Sequence, residues 1–237
     1  MSQSNPANRS TLIVDVDETL FDTTPRKIAI LHDLFGIPAT YEEVSADYYL
    51  TDYLHSPKQE RDFFREFHSG KYIHFDIAID CAPQVLQRLS AKLSLVYLTG
   101  RHAEGAQPWM AQKSATLQSL KRFGFPLPED QNTFLIMKQY FSGFESAEIQ
   151  AAQDYEHKMQ VTLQLVAQSP VVAGIGDSFS DLLVYSAHGV FPICLKRPHF
   201  RDLNRLGELA IRPFVADDWL AVESRVLELL KQKSSPN

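Results

Sequence analysis

The sequence predicts an α/β protein built on a mostly parallel, Rossmann-like sheet. Five short apolar runs rich in β-branched residues alternate along the chain with amphipathic segments of helical period. This alternation is typical of parallel strands whose crossover helices cover both faces of a sheet. The predicted strands are Thr11–Val14, Leu93–Leu98, Thr133–Met137, Val171–Ile175 and Val190–Leu195, the last being the weakest because it contains Pro192.

Four amphipathic segments are predicted to be covering helices. The first begins with Pro83, which the first turn of a helix tolerates, and the second ends before Gly124, a residue type that commonly ends helices. The last carries Asp217 and Asp218 in its first turn, where acidic side chains stabilise the helix dipole. The predicted helices are Pro83–Lys92, Pro108–Phe123, Tyr155–Gln168 and Asp217–Lys231.

One long stretch interrupts this alternation. Residues 22–80 are rich in Tyr, Phe and His, contain helix-like segments at Arg26–Phe35 and Lys58–Phe67, and show no convincing core strand. We interpret the stretch as an inserted helical cap, with a core of residues 11–21 and 81–237 and a disordered arm of residues 1–10. The cap contains six Lys or Arg and eleven Asp or Glu, so its net charge of −5 accounts for most of the chain's −6.

Composition argues against several classes of protein. The chain has 237 residues, of which 44% are hydrophobic and 22% charged, as in ordinary globular domains. Its net charge of −6 disfavours a broad surface for nucleic acid or anionic membranes, and no apolar run reaches the roughly 18 residues that cross a bilayer. The two cysteines, Cys81 and Cys194, match no zinc or CxxC spacing, so we expect a reduced, cytoplasmic protein.

The most informative motif is Asp15-Val16-Asp17-Glu18-Thr19-Leu20, directly after the first predicted strand. It resembles the first motif of the haloacid dehalogenase (HAD) superfamily, DxDx(T/V)(T/V/L) at the end of the first core strand. An EF-hand loop is excluded because Leu20 stands where glycine is required and Arg26 where glutamate is required. The competing structural interpretation is an acidic turn that caps a helix.

The spacing of the two aspartates suits a pair of chemical roles. Alternate residues of an extended chain point the same way and lie about 6–7 Å apart, so Asp15 and Asp17 can serve one site. By the resemblance, Asp15 is a nucleophile that forms an aspartyl phosphate. Asp17 is then a general acid for the leaving oxygen and a general base for water.

Two later motifs follow in the order of the same superfamily. Leu98-Thr99-Gly100-Arg101 resembles the second motif, in which a hydroxyl and backbone N–H groups bind a phosphoryl oxygen, here at Thr99 and Gly100. Gly174-Ile175-Gly176-Asp177-Ser178-Phe179-Ser180-Asp181 resembles the fourth motif, GDxxxD, and fails the dinucleotide pattern GxGxxG at Phe179. Turn chemistry at Thr99 and helix capping at Asp181 are the simpler alternatives.

The third motif of the superfamily is a lysine, for which the chain offers two candidates. Lys158 lies 19 residues before Asp177, enough for a helix and a strand, and is favoured. Lys138 ends the third predicted strand at the same edge of the sheet and is the alternative. A cation is expected there because acids, metal and phosphate meet in one place.

The resemblance implies a magnesium-dependent phosphatase that hydrolyses a small phosphate monoester. The implied Mg²⁺ ligands are Asp15, the backbone carbonyl of Asp17, and Asp177, with Asp181 in support. A carboxylate at Asp17 favours phosphoester over carbon–halogen cleavage, because dehalogenase members lack it. A phosphomutase, a phosphotransferase or a non-catalytic binding protein of the same fold are the alternatives, and the oligomeric state stays open. Candidate specificity residues in the cap are Tyr48, Tyr49, Tyr53, His55, His68, Lys71 and His74.

Overall fold

The central sheet has six strands, all parallel to their neighbours. The computed structural model describes residues 9–47, 49–105, 111–130, 132–141, 146–200 and 202–234. The α/β fold class and the five predicted strands are confirmed. The strands of the sheet are β1 (Thr11–Val14), β4 (Ser94–Gly105), β5 (Thr133–Phe141), β6 (Val171–Gly176), β7 (Phe191–Leu195) and β8 (Phe214–Ala216). Their order across the sheet is β5-β4-β1-β6-β7-β8.

Helices cover both faces of this sheet, which explains why Leu12, Ile13 and Val14 of its central strand are all apolar. Leu12 and Val14 pack in one cluster with residues of α4 and α8, whereas Ile13 packs in another with residues of α6 and α7. None of the described helices is both long and apolar enough to cross a membrane. The helices are α1 (Thr24–Phe35), α2 (Tyr41–Ala46), α3 (Pro57–Phe67), α4 (Ala82–Ser90), α5 (Lys113–Phe123), α6 (Ala147–Gln168), α7 (Phe179–Ala187) and α8 (Trp219–Ser234).

Several element boundaries differ from the sequence prediction. Helix α6 begins at Ala147 rather than Tyr155, because the Ser146 side chain caps it by accepting the N–H of Ile149. Helix α5 begins at Lys113 rather than Pro108, and residues 106–110 lie outside the described residues. Strands β4 and β5 extend beyond Leu98 and Met137 as a paired ribbon.

Strand β8 and helix α7 of the core were not predicted. Strand β8 has only three residues, too few for a recognisable pattern, and helix α7 follows the GDSFSD motif. The proline in β7 is accommodated because β8 pairs with β7 only from Ile193 onward, so Pro192 has a sheet neighbour on the β6 side alone.

The segment between residues 22 and 80 carries α1, α2 and α3 around a hydrophobic cluster of its own. Ile30 and Leu31 of α1 pack there with Val44 of α2 and with Phe63 and Phe64 of α3. Its two ends pair as a small antiparallel sheet of β2 (Phe21–Asp22) and β3 (Ile77–Ala78), which the sequence analysis did not foresee. This pairing holds together the two points at which the chain passes between this segment and the rest of the protein.

Candidate active site

Three of the sequence motifs meet at one edge of the sheet. Asp15 follows β1 and Asp177 follows β6, and these strands are neighbours in which Val14 pairs with Ile175. The backbone N–H of Asp15 donates to the carbonyl of Ile175 at 3.0 Å, which fixes the start of this turn against β6. Thr99 lies in β4, the neighbour of β1 on the other side. Because parallel strands end at the same edge, residues distant in sequence surround one cavity.

Three buried carboxylates form the centre of the site. One oxygen from each of Asp15, Asp177 and Asp181 lies within 4.8 Å of the others, and these residues are only 5%, 5% and 2% exposed. Asp181 sits in the first turn of α7, where the hydroxyl of Ser178 accepts its N–H at 3.2 Å and donates to its carboxylate at 2.7 Å. Gly176 allows this approach, since a Cβ there would lie 2.6 Å from the Cβ of Asp181.

The structure puts Lys158, rather than Lys138, against these acids. Lys158 lies on α6, and its Nζ donates to Asp15 at 2.7 Å and to Asp181 at 2.5 Å. Burial alone would lower the pKa of Lys158, but the carboxylates of Asp15 and Asp181 outweigh it and raise that pKa well above its usual value. Lys138 instead forms a short ion pair with Asp154 beside the site.

Asp177 has two partners, one of which the sequence analysis missed. The hydroxyl of Thr19 donates to its Oδ1 at 3.2 Å, and the Nε2 of His199 lies 2.8 Å from its Oδ2. His199 stands after β7 in a stretch that matches no motif quoted above, so only the tertiary structure reveals it. Burial raises the pKa of Asp177, and the contact with His199 opposes this shift.

The side chain of Asp17 turns toward two arginines. Arg26 of α1 donates to its Oδ1 at 2.6 Å, and Arg101 of β4 donates to the same oxygen at 2.6 Å through Nη2. The Nε of Arg101 also lies 3.1 Å from Oδ2. Burial would raise the pKa of Asp17, but the two guanidinium groups outweigh it and hold that pKa well below its usual range. Asp17 is therefore ionised in this arrangement.

A second carboxylate completes this cluster of four charges. Asp76, directly before β3, lies 2.9 Å from the Nε of Arg26 and 2.7 Å from the Nη2 of Arg101. Burial raises the pKa of Asp76 to about 6 against the opposing effect of both arginines. Arg26 and Arg101 are 0% and 2% exposed, so the pairing of two cations with two anions is needed to compensate for their burial. We call Asp17, Arg26, Asp76 and Arg101 the arginine cluster.

An irregularity in β4 exposes the second motif to the cavity. The register between β4 and β5 shifts between Thr99 and His102, which leaves Gly100 and Arg101 out of the ladder. The N–H of Arg101 donates to the hydroxyl of Thr99 at 3.1 Å. Gly100 allows the carboxylate of Asp154 to approach the backbone, since a Cβ at this position would lie 2.7 Å from its Oδ2.

A cavity of about 390 Å³ lies between these residues and the segment of residues 22–80, which we call the cap segment. Of the seven candidate specificity residues, Tyr49 and His68 line it, and Tyr48 lies outside the described residues. Tyr53 instead donates to Glu43 at 2.9 Å within the cap segment. His55, Lys71 and His74 are not among the described lining residues.

The three central carboxylates fit a hard divalent cation. Burial raises the pKa of Asp15, and Asp181 and Asp177 raise it further, while Lys158 opposes them. Among the described residues, Lys158 is the one lysine or arginine that forms an ion pair with these acids, and it pairs with Asp15 and Asp181 only, so a cation there would offset the remaining repulsion. Carboxylate oxygens are the ligands that Mg²⁺ prefers.

No protein-family model matches the sequence, and no curated protein matches it significantly. The structure is similar to a haloacid dehalogenase-like family hydrolase from Streptococcus pneumoniae, with 16% identity, a TM-score of 0.59 and coverage of 92% of this chain and 98% of that one. It is also similar to a "predicted phosphatase" from Clostridium acetobutylicum, with 12% identity, a TM-score of 0.61 and coverage of 93% and 99%.

A third similar structure bears a different name. Protein tyrosine kinase A of Mycobacterium tuberculosis has 15% identity to this chain, a TM-score of 0.61 and coverage of 92% of this chain and 98% of its own. At such identities a likeness establishes the fold. The chain therefore has the fold of the haloacid dehalogenase superfamily, as its DVDETL and GDSFSD motifs predicted.

Proposed function

We propose that this protein is a magnesium-dependent phosphatase of the HAD superfamily that hydrolyses a small phosphate monoester through an aspartyl phosphate. The observation that carries the proposal is the meeting of Asp15, Asp177, Asp181 and Lys158 at one sheet edge, inside a cavity that also contains Asp17 and Thr99. The phosphatase named among the similar structures supports the same activity.

In the proposed reaction, a carboxylate oxygen of Asp15 attacks phosphorus and the bond from phosphorus to the leaving oxygen breaks. Asp17 gives a proton to that oxygen. In the second half, Asp17 takes a proton from water as the water oxygen attacks phosphorus, which releases inorganic phosphate and restores Asp15. Lys158 and Thr99 would bind the phosphoryl oxygens while charge develops on them.

Mg²⁺ would be held by Asp15, Asp177 and the backbone carbonyl of Asp17, with Asp181 supporting the site through Lys158. When bound, it neutralises charge on the phosphoryl oxygens. His199 and Thr19 would keep the Asp177 carboxylate in place, since each contacts a different oxygen of that group.

The arginine cluster bears on the two roles of Asp17. An ionised Asp17 can accept a proton from water, but it can donate one to the leaving group only after its ion pairs loosen. Arg26 and Asp76 lie at opposite ends of the segment between β2 and β3. A displacement of that segment would therefore alter the groups that hold Asp17 ionised.

A phosphotransferase or phosphomutase is the second candidate, favoured by the likeness to a protein named a tyrosine kinase. A phosphatase transfers the phosphoryl group to water, whereas a phosphotransferase or phosphomutase transfers it to another acceptor.

The test is hydrolysis of p-nitrophenyl phosphate by the purified chain with Mg²⁺, with nitrophenol and inorganic phosphate both quantified. We expect equal amounts, and loss of both with a chelator. Nitrophenol in excess over phosphate when an alcohol acceptor is added would indicate transfer, and no turnover would indicate a non-catalytic binding protein.

A further inference from the structure

The cavity wall outside Asp15, Asp177, Asp181 and Lys158, here called the subsite, bears on which leaving group the cavity accepts. Resting on the proposed function, we propose that this subsite selects phosphate monoesters whose leaving group is uncharged and hydroxyl-bearing, such as a sugar or polyol. It discriminates against leaving groups that carry a carboxylate or a second phosphate.

The charges of the cavity wall carry this inference. Among the described residues that line the cavity, Arg101 and Lys158 are the only lysine or arginine. Arg101 is committed to Asp17 and Asp76, and Lys158 to Asp15 and Asp181. The same wall carries three more carboxylates, those of Asp47, Asp154 and Asp202. A second anionic group on the substrate would therefore face carboxylates without an available cation.

Lys138, a further cation beside the cavity, is shielded from it by its own ion-pair partner. Lys138 is 8% exposed and is not among the described lining residues, whereas Asp154, with which it pairs, does line the cavity. Asp154 also accepts a hydrogen bond from Gln150 at 2.9 Å and lies against Gly100. The ligand thus meets an oxygen acceptor at this point, which suits a hydroxyl donor.

An uncharged aromatic wall faces the cavity from the cap segment. The rings of Phe64 and His68 lie 6.2 Å apart and nearly parallel, and both residues line the cavity. Burial lowers the pKa of His68 to about 3, helped by Lys138 and Arg26, so this imidazole is neutral at physiological pH. Aromatic faces beside carboxylate and amide groups suit the alternating apolar and hydroxyl surfaces of a polyol.

The first test compares matched substrates that differ in one charged group. Glucitol 6-phosphate is paired with 6-phosphogluconate, and glycerol 3-phosphate with 3-phosphoglycerate. We expect kcat/KM to be higher for the uncharged leaving group by about tenfold or more in both pairs. Equal values, or a preference for the carboxylate, would overturn the proposal.

The second test changes the charge of the subsite. Asp154→Asn should leave Lys138 uncompensated and shift the kcat/KM ratio of each pair toward the carboxylate substrate by about tenfold. The double variant Asp154→Asn, Lys138→Met should lose this shift. Each ratio is measured within one protein, so partial unfolding cancels. An unchanged ratio in Asp154→Asn would overturn the proposed shielding.

The proposed function and the proposed substrate class can fail separately. If p-nitrophenyl phosphate is not hydrolysed by the unaltered chain, the proposed function is wrong and the substrate class falls with it. If that ester is hydrolysed but the carboxylate substrates are preferred, only the substrate class is wrong.

Discussion

Replacing Lys158 with methionine removes the one ammonium group that joins Asp15 to Asp181. Its Nζ lies 2.7 Å and 2.5 Å from the two carboxylates. At an effective dielectric constant of about 20, each contact represents a gross attraction of about 6 kcal/mol, much of which is offset by desolvation. Removing one partner of a buried ion pair typically costs about 3–5 kcal/mol, because the remaining charges stay buried without compensation. We expect a loss of this size in the unfolding free energy of the metal-free variant.

The effect on rate should be separable from the effect on stability. Mg²⁺ would bring positive charge to the same carboxylates, so it should restore much of the lost stability. It should not restore the contact of Lys158 with the phosphoryl group, whose loss we expect to lower kcat by about 10²–10³-fold. Urea unfolding with and without Mg²⁺, and steady-state hydrolysis of p-nitrophenyl phosphate, measure the two quantities.

Lys138→Met is the matched control, because it removes the same group from a neighbouring ion pair. The side chains of Lys138 and Asp154 are 10% and 30% exposed, and neither touches Asp15, so kcat for the aryl ester should fall by less than about tenfold. A Lys158→Met variant that keeps most of its rate, or a larger loss in Lys138→Met, would refute the assignment of Lys158 to the phosphoryl group.

Three other changes test separate parts of the site. Asp15→Asn should reduce phosphate release to background while the circular dichroism spectrum stays unchanged, and retained turnover would exclude Asp15 as nucleophile. His199→Ala should raise the Mg²⁺ concentration for half-maximal activity by about 10–100-fold with little change in saturated kcat, whereas an unchanged requirement would mean that His199 does not support Asp177. Burial, with Lys138 and His68 nearby, lowers the pKa of His102 to about 2, so only the unfolded chain gains that proton between pH 7 and 5. The unfolding free energy should therefore decrease as the pH is lowered from 7 to 5. In His102→Gln this decrease should be smaller by about 2 kcal/mol, as measured by urea unfolding at both pH values. An identical fall in His102→Gln would refute this.

The central strands and their motifs could be predicted because their signal is local. Thr11–Val14 is buried at every position and apolar from Leu12 onward, as expected for a strand covered on both faces, and the acids come directly after it. Lys158 could be placed by spacing, since the remainder of α6 and strand β6 separate it from Asp177. The early start of α6 also had a local signal in Ser146, a common helix cap that the prediction did not use.

The features of the fold and site that could not be predicted depend on contacts between distant parts of the chain. The polar sequence Arg101-His102-Ala103-Glu104-Gly105 has no strand pattern of its own, and it is extended because it pairs with β5. His199 and Asp76 likewise carry no motif. Their places beside Asp177 and Arg101 follow from how the turn after β7 and the end of the cap segment pack against the sheet edge.

The arginine cluster shows why recognising a motif does not describe the environment of its residues. The resemblance of DVDETL to the first motif implies that Asp17 carries a proton, but no motif in the sequence places Arg101 beside it. Arg101 reaches Asp17 from β4 and Arg26 reaches it from α1, while Asp76 binds both arginines. Losing any one of the four would leave a buried charge uncompensated, so the cap segment and the core cannot vary independently at this point. The proton affinity of Asp17 is thus set by the cap segment as much as by its own motif.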